Sequence, residues 1–356
     1  MVDHVKGRGA LTNRVERFQA LQTAPVDDGW PGDGEGEPPP LVTSVTPEQA
    51  RSIITYNASP DIGFDRSINP YRGCEHGCIY CYARPSHAYL GLSPGLDFET
   101  KLTYKADAAT LLRTELSRPS YRCAPLMLGA NTDPYQPVER RLGVTRSILE
   151  VLLEARHPVS IVTKSTLVLR DLDLLTQLAQ QDLVHVMVSL TSLDAALKRV
   201  LEPRAASPAA RLGTIRGLAE AGVPVGTLIA PVIPLITDAE LETLMEHAAA
   251  AGARRAGYVL LRLPLELKAL FAEWLQAHHP GKAAHVLSLL EQLRDGRLND
   301  STFGQRMTGT GIYATLLRRR FTLARQRLKL DDHDFTLATD RFVPLRGSSP
   351  QLSLSL

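Results

Sequence analysis

The sequence lacks any uninterrupted apolar stretch of the roughly 18 residues that a membrane span requires, and its opening, MVDHVKGRGALTNRVERF, has no apolar core of signal-peptide length. A cytoplasmic protein with no membrane association is therefore expected. Net charge is nearly absent: 40 Lys and Arg against 38 Asp and Glu leave +2 over 356 residues. That balance excludes a general electrostatic attraction to nucleic acid and leaves only a local basic patch open. Cysteine is scarce, with four residues, three of which fall between positions 74 and 81. Such a set excludes a disulfide framework and reads as a metal or redox site. With 44% hydrophobic and 22% charged residues, disorder of the whole chain is excluded as well.

The length fits two average domains or one large barrel. Residues 24–40, APVDDGWPGDGEGEPPP, have the Pro, Gly and acid content of a linker. The fold is expected to start near Leu41, behind a disordered N-terminal segment spanning 1–41. Within that segment, the basic stretch around Gly7, Arg8, Asn13, Arg14 and Arg17 has two open placements, a loose tail or a fold back over the body. From Pro125 onward, short β-branched runs alternate with longer amphipathic ones, the pattern of βα units and a parallel sheet. Strands are expected at 125–130, 159–164, 184–190, 223–229 and 258–263, with an earlier one at 66–71. Helices are expected at 138–156, 170–181, 208–221 and 238–251, with Gly222 and Gly252 as stop residues. The reading is an α/β fold: a partial (β/α)6 barrel of TIM type over 42–264. A C-terminal helical extension over 265–356 would close one side of it. Its segment 312–328 carries Arg318, Arg319, Arg320, Arg325 and Arg327, a nucleic-acid contact or a solvated face. The terminal QLSLSL is a short edge strand or a loose end.

In INPYRGCEHGCIYCYARPSHAYLG, Cys74, Cys78 and Cys81 stand at C-x3-C-x2-C, with Gly73 and Gly77 permitting a tight loop. A [4Fe–4S] cluster normally takes four thiolates, so a triplet leaves one iron open to an outside ligand. Open coordination implies chemistry. The alternative is a non-catalytic zinc or cluster scaffold with His76 as fourth ligand, although no second C-x2-C or H-x3-H pair is present. Cys123, just ahead of a strand, reads as a small buried hydrophobe. The triplet, with the aromatic Tyr80 before its third cysteine, resembles the signature of the radical S-adenosylmethionine (SAM) superfamily. The resemblance implies a [4Fe–4S] cluster whose open iron is chelated by SAM, and reductive cleavage to a 5′-deoxyadenosyl radical that takes a substrate hydrogen. It also implies an electron donor such as flavodoxin or ferredoxin.

In parallel barrels, reactive groups gather at the C-terminal ends of strands. At the end of the second strand lie Asn131, Thr132 and Asp133, where the resemblance puts recognition of the SAM amino group; the bland reading is a helix cap. Lys164, amid apolar strand residues, calls for an anionic partner, which a SAM carboxylate would supply. Ser189, Thr191 and Ser192 suit the SAM ribose or cap a helix at Asp194. Arg204 suits a carboxylate or a plain surface, and the strand at 227–231 suits the adenine. Together SINPYRGCEHGCIYCYARP, GANTDPYQPVE, VTKS and EPR, over about 42–264, resemble the spore photoproduct lyase-like branch of the superfamily. The resemblance puts a hydrogen-donor cysteine near Ala130, where this chain has none. Tyr135 and Tyr258 are the candidate relay residues, or packing residues. The substrate stays unknown, with nucleic acid one open class; repair of pyrimidine dimers in DNA is the alternative activity.

Overall fold

A computed structural model describes residues 6–18, 41–331 and 335–345. Its strands are β1 (Ser44–Glu48), β2 (Ile54–Tyr56), β3 (Arg66–Ile68), β4 (Tyr71–Arg72), β5 (Lys101–Lys105), β6 (Leu126–Leu128), β7 (Val159–Thr163), β8 (Val184–Ser189), β9 (Val225–Val232) and β10 (Arg255–Leu260). Segments such as VSIVT and VHVMVS are buried or half-buried at every residue, as strands lined on one face by a core and covered on the other by helices must be. They assemble in the order β10-β9-β8-β7-β6-β3-β2. β3, β6, β7, β8, β9 and β10 run parallel and β2 pairs antiparallel at one edge. This is the expected partial (β/α)6 barrel, a curved parallel sheet with its helices outside.

Local chemistry sets the helix boundaries. Ser207 caps Pro208–Glu220 by accepting from the Ala210 amide, and Pro208 occupies a first-turn position where its missing N–H costs nothing. Gly222 and Gly252 do stop helices, at φ +75° and +104°, and the next residue's N–H returns five positions to Leu218 O and Ala248 O. The expected helix at 138–156 is two: Gly143, at φ +66°, separates Glu139–Leu142 from Val144–Glu154. Those at 170–181 and 238–251 start as single 3-10 segments. The last strand begins at Arg255, earlier than the expected 258. A three-stranded sheet, β1-β5-β4, was not foreseen, because SVTPE and KLTYK are too polar and too short to give an apolar period.

Past Pro264, helices follow without named strands among the described residues, at Leu267–His278, Pro280–Gln292 and Gly311–Arg327. The arginine-rich last one is partly neutralised by the helix Leu241–Ala250: Arg320 pairs with Glu242 and Arg327 with Glu246. Residues 335–345 cross the N-terminal ends of the strands. Phe335 packs on His185, the Ala338 amide donates to Asp182, and Phe342 packs on His157. The QLSLSL tail and the linker 24–40 lie outside the described residues.

Of the segment expected to be disordered, residues 6–18 are docked on the body. The amides of Gly9 and Ala10 donate to the Glu99 carboxylate at 3.0 and 2.8 Å, and Asn13 exchanges hydrogen bonds with Asp97. Arg17 pairs with Glu266. The approach is close enough that a Cβ on Gly9 would lie 1.8 Å from the Gly77 carbonyl oxygen. Gly9→Ala is therefore expected to cost about 1–3 kcal/mol through backbone displacement. Gly281→Ala, where an added Cβ meets nothing, is expected to be neutral or stabilising. Thermal melting of the two variants, with limited proteolysis of the N-terminal segment, checks this; equal melting temperatures would contradict the docking.

Candidate active site

The cysteine loop leaves the C-terminal end of β3, so it opens on the face where β6 to β10 also end. Gly73 and Gly77 both take positive φ, as a tight loop at those positions requires. The loop is held mainly through its own carbonyl groups. Arg84, fully buried, donates from Nε to Cys78 O at 2.9 Å and from Nη2 to Gly77 O at 3.1 Å. The same guanidinium pairs with the buried Glu99 at 2.5 Å. Gln136 ties the loop to the β6 end, accepting from the Glu75 amide and donating to Gly73 O. The amides of Ile79 and Arg204 bind Leu201 O and His76 O, joining the loop to the EPR segment.

Cys74, Cys78 and Cys81 are free thiols close enough to interact electrostatically. Burial pushes the Cys74 thiol well up and that of Cys78 to about 12, with Lys164 opposing the rise at Cys78. Thiolate binding to a metal would release those protons. The donor set fits an iron–sulfur cluster: soft sulfur ligands on a loop whose backbone is already fixed. His76 Nδ1 lies 3.3 Å from Asp133, a contact that a zinc-bound imidazole also makes, so the number of converging donors decides against zinc. Among the described residues no group of three or more His, Cys, Asp and Glu converges to hold a single ion. Cys123 lies ahead of β6, beyond the opposite end of the strands, within the field of Arg66.

Two buried carboxylates organise the strand ends. Asp133 accepts from the Tyr135 amide and Thr163 Oγ1 with one oxygen, and from the Lys164 amide with the other, in addition to its contact with His76. Burial opposes its ionisation, yet His76 and these donors hold its carboxyl down at about 2. Thr132 donates to Tyr71 O, and the Asn131 amide binds the Asn69 side chain. Asp133 and Thr132 thus brace the loop; the cap on offer is the turn that Asp133 makes with Tyr135. Glu202, opposed by its burial, is held at about 2 by Arg211 and Lys164; it accepts from Tyr80, Thr191 and Arg211. Ser189 Oγ donates to Ala230 O at 3.4 Å. Asp194 caps Ala195–Leu201, and Arg204 pairs with Glu75 at 3.1 Å. Lys164 Nζ stands 5.8 Å from the Tyr80 ring centroid, and among the described residues no hydrogen-bond acceptor reaches it.

The tyrosines differ from expectation. Tyr135 is fully buried beside Asp171, Arg170 and Glu139. Tyr258 stacks at 4.7 Å on Phe321 of the C-terminal helix. Both rings pack against the core, and both hydroxyls are buried without a hydrogen-bond partner among the described residues. Besides Tyr80, Tyr82 adjoins the cysteines, 49% exposed, with its hydroxyl donating to Ala130 O. Its adjacency to Cys81 was a readable signal that the strand-by-strand reading passed over. Arg84, Glu99 and Arg211 gave no signal, because their roles depend on burial.

The profile of the Radical SAM superfamily matches residues 68–248. An uncharacterised protein of Mycobacterium tuberculosis is 40% identical over 275 residues, covering 73% of this chain and 80% of that protein. One from Methanocaldococcus jannaschii is 29% identical over 173 residues, covering 49% and 62%. Spore photoproduct lyase complexed with dinucleoside spore photoproduct superposes with a TM-score of 0.58 at 16% identity, covering 80% and 79% of the two chains. That likeness carries the fold; a mutant of the same lyase, of similar TM-score, holds AdoMet. The chain belongs to the radical SAM superfamily of enzymes, which use SAM and an iron–sulfur cluster.

Proposed function

We propose that Cys74, Cys78 and Cys81 hold a [4Fe–4S] cluster and that the strand ends around Lys164 receive SAM. The observation that carries this reading is that three buried or half-buried thiols sit on one braced loop that leaves the C-terminal end of a parallel strand. With SAM bound, the cluster would pass one electron from a donor such as flavodoxin or ferredoxin to the sulfonium, whose S–C5′ bond would break to methionine and a 5′-deoxyadenosyl radical able to take hydrogen from a substrate. Lys164 offers an unsatisfied ammonium to the SAM carboxylate. Asn131, with Thr132 and Asp133 behind it, presents the β6 loop to the amino group, and Ser189 lies at the ribose end. Arg204, paired with Glu75, steadies the cysteine loop and adds positive charge at its rim. Tyr80, hydrogen-bonded to Glu202, walls the site.

Dimer repair finds less support. Position 130 carries a methyl group, Cys123 is remote from the loop, and the arginine helix is partly neutralised by Glu242 and Glu246.

Anaerobically reconstituted protein, reduced with SAM present, is expected to yield 5′-deoxyadenosine by chromatography, and Cys78→Ala none. A colourless protein that keeps one zinc and forms no deoxyadenosine would contradict the proposal. Lys164→Gln is expected to weaken SAM binding about tenfold or more, the loss of a charged hydrogen bond. Anaerobic equilibrium dialysis reads this, with Lys164→Arg recovering part of the affinity; unchanged binding in Lys164→Gln would remove Lys164 from the site.

A further inference from the structure

Beyond β10, three arginines meet at the barrel mouth. Arg262 follows the strand's C-terminal end by two residues, and Arg306 and Arg294 come from the segments that pack against it. Arg294, 2% exposed, donates to Leu261 O at 2.6 Å and Arg306 O at 3.1 Å, which fixes the backbone on both sides. Arg306 forms a two-point pair with Asp61, at 2.8 and 2.5 Å, and Gly304 N also donates to that carboxylate. Asp300, which acts on Arg294, is itself engaged by Thr302.

Arg262 Nε is buried without a partner, and its Nη1 reaches only the Met307 sulfur at 3.6 Å, a weak acceptor. Arg294 Nε is buried without a partner too, but both its Nη groups are satisfied by carbonyls, whereas Arg262 has no oxygen acceptor at all among the described residues. Among the described residues no carboxylate lies within salt-bridge distance of it. Burial and the neighbouring Arg306 both push its pKa down. A half-buried cation beside two others, with its Nε–Nη2 edge unmatched, is costly unless a ligand supplies the counter-charge. Nη2, which has no protein acceptor and is not sealed, is the donor left for a carboxylate or phosphate oxygen, with the planar guanidinium charge behind it. The guanidinium also lies 5.7 Å from the ring centroid of Tyr82, half exposed and next in sequence to Cys81. Arg262 is thus at the cysteine end of the barrel.

We propose that Arg262, braced by Arg294 and flanked by Tyr82, binds an oxyanion of the substrate, a phosphate ester or a carboxylate, at the barrel mouth. The assignment rests on the SAM-cleaving reading of the neighbouring loop and adds the chemical class of its substrate.

The test is calorimetric titration of anaerobic, cluster-loaded protein, with SAM bound so that Lys164 is occupied. Inorganic phosphate and acetate are titrated in separate arms at low ionic strength. One of the two is expected to bind, and its identity tells phosphate from carboxylate. Arg262→Gln is expected to weaken that binding about tenfold or more, while Arg319→Gln, at an exposed helix position, leaves it unchanged. If Arg262→Gln does not fold, Arg262→Lys, which keeps the charge and loses the planar guanidinium, is expected to bind about threefold or more weakly. Binding of neither anion, or binding indifferent to both Arg262 variants, would overturn the proposal. Deoxyadenosine formation by the wild type is scored in parallel. A protein that forms it without anion binding at Arg262 loses only this inference, and one that binds the anion through Arg262 without forming it loses only the SAM reading.

Discussion

The buried pair of Arg84 and Glu99 is the interaction on which the cysteine loop depends. Both side chains are fully buried, and together they gather three separate parts of the chain. Arg84 binds the carbonyls of Gly77 and Cys78, while Glu99 binds the amides of Gly9 and Ala10. Removing one partner of such a pair costs about 3–5 kcal/mol, because the other charge is left buried and alone. The loop that carries the thiols is therefore held by backbone contacts that demand nothing of the cysteines, whose side chains stay free for ligation.

The same device recurs at the strand ends. Asp133 and Glu202 are carboxylates kept ionised inside the protein by surrounding donors, and each joins elements distant in sequence: Asp133 ties His76 of the cysteine loop to β7, and Glu202 ties Tyr80 to Arg211. A fully satisfied buried network rigidifies what it joins. The strand ends between them are thereby shaped before any ligand arrives, and among the described residues neither Lys164 nor Arg262 has a carboxylate within salt-bridge distance.

Much of this was legible in the sequence. The apolar runs ending at Thr163 and Ser189, the stop residues Gly222 and Gly252, and the close spacing of Cys74, Cys78 and Cys81 each report a local requirement, and local requirements survive in sequence. The Arg84–Glu99 pair, the docked segment 6–18 and the β1-β5-β4 sheet were not legible, since each depends on contacts between residues far apart in the chain. Tyr135 and Tyr258 illustrate the converse: their positions beside strands suggested chemistry, and only packing revealed that one is sealed in a carboxylate–arginine cluster and the other faces Phe321.

The central claim is a three-cysteine cluster with an iron open to SAM. Electron paramagnetic resonance of the reconstituted, reduced protein tests it most directly, recorded before and after SAM is added. The account predicts a [4Fe–4S]+ signal whose g values shift on SAM addition and that Cys78→Ala fails to develop. A spectrum indifferent to SAM, or one retained in Cys78→Ala, would contradict it.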